Sequence, residues 1–73
     1  MKIKFSRHAK RQMKWRKITE KEVKMAINNP DKLEDSIKKR KSAFKAIKGR
    51  LLKITYKPED GDVIVITTIA KGE

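Results

Sequence analysis

The chain contains no cysteine, which excludes disulfides and thiolate zinc sites. It has a single histidine, His8, so the two or more His or Cys ligands of a usual transition-metal site are missing as well. No metal and no cofactor is expected. Glycine and proline are scarce, at 3 and 2 residues. There is no glycine-rich phosphate loop, no paired-carboxylate site and no serine–histidine–aspartate arrangement. No apolar run approaches the roughly 18 residues of a membrane span. The opening Met1-Lys2-Ile3-Lys4-Phe5 lacks the apolar core and small-residue cleavage site of a signal peptide. Neither expected helix pairs a broad apolar face with a lysine-rich one, as a helix lying on a membrane does. A cytoplasmic protein with no membrane partner is the expectation.

Acidic residues are also few. Against 21 Lys+Arg stand 9 Asp+Glu, a formal net charge of +12 on 73 residues. A field of that size attracts polyanions, which favours a nucleic acid or an acidic protein as partner. It is also uneven, because basic residues dominate 2–17 and 38–57 while the acids gather in 20–22, 31–35 and 59–62. The length allows one domain, near the lower end of what buries its own core without staples.

Ser6 is placed as N-cap of a first helix that runs to about Arg16. On its wheel Phe5, Ala9, Met13 and Arg16 share an arc, with Gln12, His8 and Trp15 along one edge. Arg7, Lys10, Arg11, Lys14 and Lys17 cover the opposite side. A second helix is announced by Thr19-Glu20-Lys21-Glu22, which has capping-box spacing, with Ile18 and Val23 at the staple positions. Val23, Ala26 and Ile27 form its buried stripe, and Asn28-Asn29-Pro30 ends it.

After Pro30 the pattern alternates. Leu33 to Ile37 reads as a strand, Lys38-Lys39-Arg40-Lys41 as a basic turn, and Ala43 to Lys48 as a second strand turning at Gly49. Arg50 to Lys57 is a third, Pro58-Glu59-Asp60-Gly61 a tight turn, and Asp62 to Ala70 the last strand. With a loop over 58–61, Tyr56 opposes Val63, Ile54 opposes Val65 and Leu52 opposes Thr67. Val63, Val65, Thr67 and Ile69 would then share one face. The expected fold is α+β: two N-terminal helices packed on a four-stranded, mostly antiparallel sheet. The sheet face away from the helices would show Lys53, Thr55, Lys57 and Thr68 around Ile64 and Ile66. That face is too apolar for solvent and too basic for core, so it reads as a groove wall. An acidic peptide or a second copy of the chain would cover it.

Cleaving RNA without a metal requires a base for the 2′-hydroxyl, cations for the phosphorane charge and an acid for the leaving oxygen. His8 is the one conventional base, set in the first turn of a helix among cations. A surface histidine in the cap region is the plainer alternative. Arg16 offers a guanidinium that grips phosphate with two parallel bonds, or else a stem laid on the core with its head in water. Arg11, Arg50 and Lys53 are candidate phosphate contacts. Trp15 and Tyr56 are candidate stacking rings that would serve equally as core or rim residues. Thr67 and Thr68 offer hydroxyls in a strand where threonine is also a good β former.

The order His8-Ala9, Met13, Arg16, Ile18, Thr19, Glu22, Val23, Asn29-Pro30, then a basic hairpin and a 63–67 strand ending in Thr67 spans nearly the whole chain. It resembles a family of short prokaryotic proteins related to the RelE/ParE-type toxins, within the wider barnase–colicin–RelE nuclease fold. Lys17 departs from the pattern, standing where the family often has glycine. The resemblance implies helices on an antiparallel sheet and metal-independent endoribonuclease activity. It carries over His8, Arg16 and Thr67 as catalytic residues: base or acid, transition-state clamp and orienting hydroxyl. It also implies an acidic antitoxin-like partner. Beside this toxin-like RNA-cleaving domain stands a non-catalytic nucleic-acid-binding or protein-interaction module.

Overall fold

The computed structural model describes residues 2–71. In chain order the elements are β1 (Ile3–Phe5), α1 (Arg7–Arg16), α2 (Glu20–Asn28), β2 (Lys32–Asp35), β3 (Lys41–Ile47), β4 (Arg50–Glu59) and β5 (Asp62–Lys71). They build an α+β fold with one sheet in the order β1-β5-β4-β3-β2. Strands β2 to β5 form an antiparallel meander, and β1 lies parallel to β5 with Ile3 opposite Val63. The sheet is therefore five-stranded and mixed, which corrects the expected four strands. Three residues are too few to show a period, and Phe5, drawn on the helix wheel, pairs with Val65 instead.

Both helices cover the same face. α1 packs on β5 and α2 on β3 and β4. Ala9, Met13, Ile18, Val23, Ala26 and Ile27 meet Ala43, Leu52, Ile54, Tyr56, Val63 and Val65 in one core.

α2 forms as its sequence dictates. The Thr19 hydroxyl accepts from the Glu22 amide at 3.1 Å, and Glu22 Oε1 accepts from the Thr19 amide at 2.9 Å. Ile18 and Val23, on either side of that cap, are buried. α1 also starts at its expected cap, with Ser6 Oγ accepting from the Ala9 amide at 3.0 Å. It stops at Lys17, whose φ of 56° puts a lysine in the left-handed region that favours glycine.

Apart from β3, which opens at Lys41 inside the expected basic turn, the strands depart from expectation at two places. The first is β2, which ends at Asp35 rather than Ile37, because Ser36 donates to the Arg40 carbonyl at 2.8 Å and closes the basic turn early. The second matters more. The last hairpin turns on Asp60-Gly61, with φ of 49° and 82°, so β4 runs on to Glu59 and Tyr56 faces Val65 rather than Val63. Pro58 is tolerated in the strand because it lies past the end of β3, where Lys41 opposes Tyr56. Thr55 then pairs with Thr67, leaving Ile66 as an extra residue in β5. This bulge exchanges the faces of everything after it. Ile54 opposes Thr68 and Leu52 opposes Ala70, so Thr68 joins the helix side with no exposed surface. Thr67 and Ile69 turn to the uncovered face, reversing the expected partition.

Candidate nucleic-acid interface

α1 is amphipathic in an unusual way. Its inward arc is short, with Ala9 and Met13 buried and Gln12 and Arg16 half-buried. Arg7, His8, Lys10, Arg11, Lys14 and Trp15 are all exposed. No carboxylate occurs in the helix. Trp15 is 83% exposed, an unusual state for the side chain with the largest apolar surface. His8, Arg11 and Trp15 follow at i, i+3 and i+7, so they lie along one line of the helix surface. Arg11, Lys14 and Trp15 border a shallow depression of about 480 Å³.

Three long-range contacts hold this helix while leaving that surface open. At its start, Ser6 Oγ donates to the Ile66 carbonyl at 3.2 Å, beside the bulge. In its middle, Gln12 Oε1 accepts from the Thr68 amide at 2.9 Å. At its end, the Arg50 guanidinium donates to the Arg16 carbonyl at 2.8 Å and the Lys17 carbonyl at 3.3 Å, answering two acceptors that a helix leaves unpaired. The same guanidinium reaches Glu22 Oε2 at 3.5 Å. The Glu22 carboxyl is held below its ordinary 4.5, chiefly by the Thr19 backbone N–H, with the Thr19 hydroxyl, Arg50 and Lys48 adding to the effect against burial.

The three expected catalytic residues are not brought together. His8 is exposed on the first turn of α1. Arg16 ends the same helix, about 12 Å away at 1.5 Å per residue. Its Nε is buried without a partner. Thr67 sits on the sheet face away from both helices, opposite Thr55, whose hydroxyl lies 3.3 Å from that of Ser42.

Of the expected nucleic-acid contacts, Arg11 and Trp15 share the α1 surface. Arg50 is committed to the clasp described above, with its side chain only 17% exposed. Lys53 lies on the uncovered sheet face, its ammonium 5.8 Å from the centre of the Phe44 ring. Tyr56 is buried in the core. The expected groove wall keeps Lys53, Thr55, Lys57 and Ile64 but loses Thr68 to the core side. Sequence reasoning missed the anchoring roles of Gln12 and Arg50. The one available signal was a glutamine on the edge of the buried arc.

Among the described residues, no three His, Cys, Asp or Glu side chains gather as a metal site would need. No helix among them is long and apolar enough to cross a membrane. No curated protein and no solved structure matches the chain. One family does, over residues 5–70, a span that takes in both helices and nearly the whole sheet. The chain belongs to that family, described as a domain of unknown function, DUF4258.

Proposed function

We propose that the protein binds single-stranded RNA on the outer surface of α1, with Trp15 stacking on a base and Arg7, Arg11 and Lys14 meeting the flanking phosphates. The observation that carries this is the 83% exposure of Trp15 on a helix that has exposed cations and no carboxylate. A ring so placed reaches an unstacked base, whereas the bases of a duplex present only their edges. Stacking on one aromatic ring is worth about 1–3 kcal/mol per base.

Trp15 is the only tryptophan, so its own emission reports the encounter. Titrating a short single-stranded RNA should shift or quench that emission, with log K falling at a slope of about −2 to −4 against log salt for three to five engaged cations. Trp15→Ala should weaken binding by about 1–3 kcal/mol. Absence of binding at low salt, or binding that leaves the emission and the Trp15→Ala affinity unchanged, sinks the proposal.

Kinship with the RelE/ParE-type toxins belongs to the same proposal, supported by an element order in which paired helices precede an antiparallel meander. RNA cleavage is the weaker part, because His8, Arg16 and Thr67 lie at two ends of a helix and on the far side of the sheet. EDTA-resistant cleavage that disappears in His8→Ala would restore it.

A further inference from the structure

A second concave surface lies along α2. One depression of about 750 Å³ is lined by residues of α2 and the β3–β4 turn. Another of about 450 Å³ continues along α2 toward Asn29. Both include Lys21 and Met25, so they form one trough. Its apolar strip is Met25, 42% exposed, and Ile47, half-buried. Around that strip stand Lys17, Lys21, Lys24 and Lys48. Glu22 lines the same depression, where Lys48 helps to hold its carboxyl down. None of the four lysines forms a salt bridge among the described residues, whereas Lys45 nearby is paired with Asp31 at 3.3 Å.

We infer that this trough seats an acidic amphipathic helix of a partner protein. The chemistry separates that occupant from the other two available. A nucleic acid would use the lysines but has no ring to stack on in the trough and gains little from an apolar floor. A second copy of this chain brings its own net charge of +12 against the same lysines. A helix with an apolar stripe bordered on both sides by Asp or Glu satisfies everything present. The stripe lies on Met25 and Ile47, and its carboxylates meet Lys21 and Lys24 on one wall and Lys48 on the other. Methionine, unbranched and polarizable, adapts to the knobs of such a stripe. This surface is separate from the α1 surface, and the inference holds whether or not RNA binds there.

The test uses the full chain, isotope-labelled, and three probes. These are a synthetic acidic amphipathic peptide of roughly 14 residues, about 21 Å as a helix, a peptide of equal charge with its apolar positions changed to serine, and a single-stranded RNA. The first peptide should shift the amide signals of Lys21, Met25, Ile47 and Lys48. It should bind at least tenfold more tightly than the serine version and lose at least tenfold on Met25→Glu, a substitution at an exposed position. RNA should leave those signals unmoved. Equal affinity for the two peptides, indifference to Met25→Glu, or RNA shifts centred on Met25 each overturn the inference. The RNA result at α1 is read from Trp15 emission, so the two proposals fail separately.

Discussion

The two helices are adjacent in sequence and are held in opposite ways. α2 carries its own instructions: a capping box, a staple and a three-residue buried stripe, all within ten residues of one another. α1 has a serine cap, no acidic residue in its first turn and a lysine forced into the left-handed region at its end. Its remaining anchors come from the sheet, through Ile66, Thr68 and Arg50. A helix stabilised by its own sequence must spend positions on caps and complementary charges. A helix fastened from outside can leave its exposed surface without a single carboxylate, and α1 does so.

Removing the Arg50 clasp should break that contrast most sharply. Arg50→Ala leaves the Arg16 carbonyl unanswered and strips Glu22 of its guanidinium partner, for an expected loss of about 2–3 kcal/mol in urea unfolding. Arg50→Lys should recover little, since an ammonium cannot span the two carbonyls as the planar fork does. A loss below about 0.5 kcal/mol would mean that α1 stands without help.

The second expectation concerns acid. The Glu22 carboxyl is held down chiefly by the Thr19 N–H, so its folded-state pKa lies below the unfolded one. That contribution is complete above the ordinary value of 4.5 and fades as pH falls through the folded value. Glu22→Gln should therefore cost about 1 kcal/mol near neutrality and converge with the parent in acid, as stability measured across pH will show. A pH-independent difference would take the charge out of the cap. The smallest effect has the opposite sign. Lys17→Gly relieves a left-handed non-glycine residue and should stabilise by about 0.5–1 kcal/mol, seen as a higher Tm. A lower Tm would show that the lysine stem contributes packing beyond its backbone strain.

What could be read from the residues follows the same division. α2 and its cap were legible because each is coded within a turn or two of chain. The last hairpin, by contrast, was read as a four-residue turn over 58–61, and Arg11 was put on the basic side, apart from the edge that held His8 and Trp15. β1 was not legible, because three residues carry no period. The face of Thr67 was not, because β5 is apolar on both sides of the bulge. A strand of Val63, Ile64, Val65, Ile66 and Ile69 satisfies two registers equally, and only the pairing with β4 chooses between them. Arg50 was read as a phosphate contact because charge alone does not show which cations the fold has already used.

The distance along the chain between α1 and its anchors has a kinetic consequence. Ser6 is fastened to a carbonyl 60 residues away and Gln12 to an amide 56 residues away, while the Thr19–Glu22 cap spans 3. Contacts of such separation are slow to form, since loop closure must precede any gain from them. α2 can nucleate from its own neighbourhood as soon as it exists. The basic helix finds its seat only after the β4–β5 hairpin has folded over to meet it, so a segment that precedes its anchors in the chain is among the last to be fixed.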